Sequence, residues 1–442
     1  MSGSGSPKQT VAESCRTEHQ DLLGALTNES RWSKEADLGV GNQVVASTHE
    51  SRTVLELIQN SRDAIRDGPD DDGRVAVIVG PESLLIANTG RPFELHDDDV
   101  FEAVTGLGRS EKFDNSDSIG EKGVGLKSLL QLSERFSVHS VVDDDQLSAQ
   151  FSRYHAGQML LAGYDHYLKT ELRNELDVES SVIESYQSIL DDILDAEARS
   201  RLPSTPDIDT IAERESTEEQ APPAPSEFLT DLPRLSLFRY PFLISTDHEE
   251  SDATSRLVDA LLETGQSTSS TATPDNKWLE DHADTYQTVV RLDYDDPEWT
   301  ELLDSVQNAL AESGRDIVDA FETNRRSANV GGLSSDKTPQ AQFWDECTDL
   351  SASTLVLLGE LDEIDFLKLE GDDTEETGSL EISDRREVTI ETDTAHQSSI
   401  GDDPELSRIP HTVTEETTTT AGTNTHEREF LRYSQTLTPE VH

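Results

Sequence analysis

The sequence predicts an α+β fold, on two observations. A strongly amphipathic helical stretch, RTVLELIQNSRDAIRDG at 52–68, runs into two short apolar strand-like segments. These are RVAVIVG at 74–80 and SLLIANTG at 83–90, joined by Gly80-Pro81-Glu82. Helical stretches then recur as far as 322 and strand-like stretches to about 436, so neither an all-helical nor an all-strand reading fits.

Each element can be justified in turn. Residues 1–11 are taken as a Ser/Gly-rich tail, and 12–30 are helical in pattern, with Leu22, Leu23 and Leu26 at helical spacing. On the 52–68 helix, Val54, Leu57, Ile58, Ser61 and Ile65 share one face, and the helix closes at Gly68-Pro69. DDDVFEAVTGLG at 97–108 reads as a short helix ending in glycines, 109–120 as a polar loop, and 123–134 as a helix that opens on glycine. RFSVHSVVD and QLSAQFSRY look like paired strands. Residues 157–200 are helical in pattern, and the Pro- and acid-rich stretch 203–226 reads as a mobile linker or insertion. LSLFRYPFLIS at 235–245 is a buried-strand candidate, YQTVVRLDY at 286–294 alternates like a strand, and 298–322 is helical. Residues 354–370 read as a hairpin around Gly359-Glu360, with strand candidates following to about 436.

The 442 residues suffice for two or three domains. Lys+Arg number 35 against 91 Asp+Glu, which gives a formal charge of −56. Hydrophobic residues still make up 33%, so disorder cannot account for the whole chain. Acid excess spread over the full length, with arginine preferred to lysine, matches a protein adapted to molar salt, where repulsion is screened within about 3 Å. The net charge then reports the solvent and argues only weakly against an anionic ligand. The two cysteines, Cys15 and Cys347, lie far apart and outside any metal-binding spacing, which excludes a disulfide framework and argues against structural zinc. No apolar run reaches the ~18 residues of a membrane span, and the start MSGSGSPKQT lacks the apolar core of a secretion signal. A cytoplasmic protein in a reducing compartment is expected.

Three motifs carry the chemistry. Opposite the apolar face of the 52–68 helix stand Glu56, Asn60 and Asp63. An amide and a carboxylate one turn apart can share a hard cation and a water: the amide oxygen is a neutral ligand, and the carboxylate can accept a proton from the water. ANTGRPF at 87–93 closes a strand. There Gly90 allows a tight turn and the close approach of a flat ligand, and Asn88 offers an acceptor and a donor suited to the edge of a base. The third is GLGRSEKFDNSDSIGEKGVGLKS at 106–128. Three of the chain's nine lysines, Lys112, Lys122 and Lys127, fall here among Gly120, Gly123 and Gly125. Glycines let backbone N–H groups turn toward a phosphate and a helix N-terminus adds partial positive charge, so a lysine-poor chain would keep lysines here for a polyphosphate. Taken singly, each motif also fits a bland reading: a solvated helix face, a strand-ending turn, a glycine-rich loop.

In this order the three resemble the boxes of the GHKL (Bergerat-fold) ATPase superfamily of gyrase, Hsp90-type chaperones, histidine kinases and MutL. ELIQNSRDA is similar to the first box, ANTGRPF to the second and IGEKGVGLKS to the third. The sacsin-like branch, with an IGxKGxGFKS third box and a Gly-x-Ser-x-Lys lid, is the nearest in pattern. The likeness is strong over 52–140 and thin beyond. It implies a two-layer α/β sandwich, a mixed and mostly antiparallel sheet with helices on one face. The domain map it implies is an ATP-binding domain at 12–295 with an insertion at about 157–230, then a smaller α+β region at 296–442.

The resemblance also implies roles. Glu56 would be the general base for the attacking water and Asn60 the Mg2+ ligand. Asp63 and Arg91 would pair beside the adenine, within ion-pair reach. Asn88 stands where most of the superfamily has the Asp that accepts from the adenine amino group; it keeps the oxygen and loses the charge, which weakens that bond. Gly90 would admit the base, Ser110 and Lys112 would belong to the lid, and Gly120, Gly123, Val124 and Gly125 would contact phosphates, with Lys122 and Lys127 nearby. Leu126 replaces the usual Phe. The activity implied is slow Mg2+-dependent ATP hydrolysis, with lid closure switching contacts to a protein partner or a second copy. The rival reading is an ATP-sensing scaffold without turnover. Phosphotransfer ranks lower, because no helical His box precedes residue 52 and His19 and His49 read as solvated surface histidines. DNA processing also ranks lower, because the second half shows neither a basic face nor a nuclease motif.

Overall fold

The computed structural model of the chain describes residues 6–27, 32, 53–68, 72–105, 135–142, 145–169, 180–194, 223–235, 240–244, 278, 282, 285–312, 317–328, 337–371, 380–393, 398–400, 403–419 and 422–435. Eleven strands form one sheet. They are β1 (Arg74–Val79), β2 (Ser83–Asn88), β3 (Arg135–Val142), β4 (Asp145–Ser152), β5 (Pro241–Leu243) and β6 (Thr288–Asp293), then β7 (Glu363–Gly371), β8 (Leu380–Thr392), β9 (Ser398–Ile400), β10 (Asp403–Thr419) and β11 (Gly422–Gln435). Their order is β11-β10-β8-β7-β1-β2-β6-β3-β4-β5, with β9 paired to β10. β1 and β7 pair in parallel and the other pairings are antiparallel, so the sheet is mixed and mostly antiparallel.

The helices are α1 (Pro7–Gly24), α2 (Thr53–Arg66), α3 (Asp98–Thr105), α4 (Arg153–Lys169), α5 (Ser180–Ile193), α6 (Pro225–Asp231), α7 (Pro297–Glu312), α8 (Val318–Ala328), α9 (Pro339–Asp349) and α10 (Ala352–Leu358). Alternation along the strands decides which helices they meet. Val75, Val77, Val79, Leu84 and Ile86 point to one face and build the main core with Val54, Leu57 and Ile58 of α2, Phe101 of α3, Phe343 and Cys347 of α9 and Leu355 of α10. The opposite face presents Ala76, Ile78, Leu85, Ala87, Val289 and Leu367, which cluster with Trp278 and Tyr286. A second core is helical: the end of α1 packs with α4, α5, α6, α7 and α8 around Leu23, Leu161, Tyr164, Leu190, Phe228, Trp299 and Phe321.

Several expectations need correcting. The first helix starts at Pro7, inside the stretch taken as a tail. Ser6 accepts from the Gln9 N–H and Gln9 answers onto the Ser6 N–H, a reciprocal cap with proline at the first helical position. The hairpin expected at 354–370 is instead α10 followed by β7. Gly359 (φ 66°) and Glu360 (φ 57°) make the turn between them. That turn lies so close to Gly73 that a Cβ there would sit 2.2 Å from the Glu360 carbonyl oxygen. The boundary expected at 296 does not divide the sheet: β7 pairs with β1 over Arg74–Val79, and α7 joins the core of the helices from 153 onward. The sheet is therefore larger than the sandwich expected for 12–295. Of the described residues in the expected 235–245 strand, Pro241–Leu243 form a strand, while Leu235 and Tyr240 do not. Most of the 203–226 linker and the expected helix at 123–134 lie outside the described residues. His19, expected at the surface, is 5% exposed, and its Nε2 lies 3.0 Å from the Pro241 carbonyl oxygen. No helix among the described residues is long and apolar enough to cross a membrane.

Candidate functional site

α2 forms as its pattern requires. Val54, Leu57, Ile58, Ser61 and Ile65 are all buried, and the opposite side leaves Glu56 and Asp63 half-buried and Asn60 exposed. Glu56 and Asn60 stand one turn apart on that outer side, Glu56 within the first turn.

The loop after β2 is held against the last turn of α2. A Cβ on Gly90 would lie 2.4 Å from the Ala64 carbonyl carbon and 2.4 Å from the Ile65 nitrogen, so only glycine fits this contact. The Arg91 N–H donates to the Ala64 carbonyl at 2.8 Å. The space that glycine opens at position 90 is therefore taken up by helix backbone, where the sequence suggested a flat ligand. The loop is pinned twice more. The Phe93 N–H donates to Ser140 Oγ at 2.8 Å and to Thr288 Oγ1 at 3.1 Å, and Thr89 Oγ1 donates to the Asp72 carbonyl while accepting from the Arg74 N–H at 3.1 Å.

Asn88, at the end of β2, is 5% exposed. Its Oδ1 accepts from the Gly90 N–H at 3.1 Å, and its carbonyl accepts from the Gln287 N–H at 2.8 Å. One lone pair of Oδ1 and the two amide donors remain for another partner.

The expected Asp63–Arg91 pair is not formed. Asp63 pairs with Arg62 at 2.7 Å and Arg66 at 3.5 Å, the preceding residue and one in the next turn of its own helix. The Arg91 guanidinium turns instead to Glu94 at 3.3 Å. Arg91 meets α2 through its backbone N–H on Ala64, not through a charge pair with Asp63.

Of the residues singled out in the sequence, Glu56, Asn60, Asp63, Asn88, Gly90 and Arg91 come together on α2 and the β2 loop. Ser110, Lys112, Gly120, Lys122, Gly123, Val124, Gly125 and Lys127 lie outside the described residues. Sequence reading missed Thr89, Ser140 and Thr288, which fix the loop; small hydroxyl residues in strands carry no signal of that role. It also missed Glu346 on α9, whose Oε2 accepts from the Val54 N–H at 3.2 Å, 292 positions away in the chain.

Among the described residues no group of three or more His, Cys, Asp or Glu could hold a metal. Mg2+ keeps several waters and binds through one or two protein ligands plus phosphate oxygens, a pattern the exposed Asn60 amide fits. The chain matches no known family model and no curated protein.

Proposed function

We propose that this protein is an ATP-binding protein of the GHKL kind, in which α2, the β2 loop and the 106–128 stretch bind MgATP and hydrolyse it slowly. The observation that carries the reading is the seating of Gly90 on the backbone of Ala64 and Ile65. It fixes the strand-end loop, with Asn88, beside the helix that bears Glu56 and Asn60. A Bergerat-type arrangement of helices over a mixed sheet belongs to the same proposal.

The roles follow from chemistry. Glu56 is the carboxylate that accepts a proton from the attacking water. Asn60 offers Mg2+ a neutral oxygen, and Mg2+ when bound supplies charge to the phosphates. Asn88 meets the adenine edge with its amide, a neutral contact roughly half as strong as a carboxylate's. The lysines and glycines of 106–128 would cradle the phosphates, and lid closure over ATP would switch contacts with a partner or a second copy.

The test is binding and hydrolysis of MgATP in molar KCl by the wild type and Glu56→Ala. The proposal expects both to bind and only the wild type to turn over, with the variant down by at least about a hundredfold. Binding by both without turnover by either favours the scaffold reading. Binding by neither overturns the proposal.

A further inference from the structure

We infer that Glu346 is a positioning residue for the helix that carries Glu56 and Asn60, and that through it the C-terminal strands hold that helix in place. The inference rests on the reading of α2 as the site helix.

The first N–H groups of an α-helix have no partner within the helix and carry partial positive charge. At the start of α2 the Val54 N–H donates to Glu346 Oε2 at 3.2 Å. Burial raises the Glu346 carboxyl above its usual range, and the Val54 and Thr53 N–H groups pull it back down. The helix that decides where Glu56 points thus takes an anionic cap from a residue far along the chain.

α9, which supplies that cap, is fixed on its other sides. Phe343 and Cys347 are buried in the same core as Val54, Leu57 and Ile58. Gln340 Nε2 donates to the Leu369 carbonyl of β7 at 2.6 Å. The last turn of α9 is held by Arg386 of β8, which donates to the carbonyls of Cys347 and Leu350, the latter at 2.6 Å. The same guanidinium donates to Glu415 of β10 at 2.9 Å and lies 5.2 Å from the Phe366 ring centre. A continuous polar path therefore runs from β10 through Arg386, α9 and Glu346 to the first turn of α2. Whatever shifts β8 and β10 moves the helix bearing Glu56.

The test uses the full chain in molar KCl, as wild type, Glu346→Ala and Glu346→Gln, with amide hydrogen exchange as the first readout. Loss of the cap in Glu346→Ala speeds exchange of the first-turn amides of α2 by about tenfold, while β1 and β2 keep their protection. Glu346→Gln, which keeps a carbonyl oxygen, restores most of that protection. In the turnover assay Glu346→Ala lowers kcat several-fold and leaves KM within about twofold, because it displaces Glu56 more than the loop that meets the base. Unchanged exchange in α2, or an equal rise through β1, β2 and α2, overturns the inference. A wild type that binds no ATP overturns the nucleotide reading alone, since the exchange comparison needs no nucleotide and still decides the role of Glu346.

Discussion

Gly90 touches α2 through backbone alone, and that contact is the most demanding single-residue feature of the site. With a Cβ 2.4 Å from the Ala64 carbonyl carbon, Gly90→Ala must push loop and helix apart. Chemical denaturation should show a loss of about 2–4 kcal/mol, with MgATP affinity falling as the loop shifts. The same glycine was legible in sequence, but its partner was not: a turn-forming Gly announces close approach without saying to what. His19 makes the opposite point, since a histidine in a polar-looking helix is indistinguishable in sequence from a solvated one until Pro241 and Phe242 are folded over it. Burial pushes His19 down to about 4, against a weaker upward pull from the Pro241 carbonyl. The folded pKa is depressed, so between pH 6.5 and about 4 the unfolded chain binds a proton that the folded chain refuses. Stability therefore falls as pH drops through that window, by up to roughly 3 kcal/mol. Burial raises Asp365 to about 6, partly offset by Arg385, so this carboxyl works the other way and favours the folded state as pH falls through the same range. Denaturation of wild type and His19→Gln across pH 7 to 4 isolates the histidine: the wild type should lose stability relative to the variant as pH falls from 6.5 toward 4.

Elements with strong local periodicity were legible: α2, the β1–β2 hairpin, the β3–β4 pair and β6 all form where the pattern placed them. Those set by long-range contacts were not. TLVLLGE contains enough β-formers to read as a strand, yet it folds as α10, because Ser351 caps the first turn through the Thr354 N–H and Leu355 and Val356 enter the main core. α9 has a readable start, with Thr338 accepting from the Ala341 N–H and Pro339 at the first helical position, but where it docks is decided by contacts of Arg386, Glu346 and Phe343 that form only in the folded chain. The cap at Ser6 and Gln9 is a case where a readable signal, Ser-x-x-Gln with Pro7, was present and outweighed by the Ser/Gly composition around it. Arg386 tests the element scale. Arg386→Lys keeps the charge, but one ammonium cannot reach Glu415 and both α9 carbonyls together. A loss of about 2–3 kcal/mol is expected by denaturation, with faster exchange concentrated in α9 and the start of α2. Unaltered stability would mean that the guanidinium network adds nothing to the docking of α9.

The whole molecule is joined by the β1–β7 pairing, which makes residues beyond 296 part of the same sheet as the candidate site. A fragment of residues 1–295 would lose β7 with Ile364 and Phe366 of the main core, together with Trp299 of the helical core. It should not fold cooperatively, as judged by thermal melting; a sharp transition in that fragment would restore the boundary the sequence suggested. At a formal charge of −56, the chain should also gain thermal stability steadily from low salt to about 2 M KCl. The central claim is that α2, the β2 loop and the 106–128 stretch together bind MgATP. The most direct test is to titrate wild type with MgATP in molar KCl and map hydrogen-exchange protection. Saturable protection in 53–66, 83–95 and 106–128 is the result predicted here. No saturable binding, or protection confined to other parts of the chain, would contradict it.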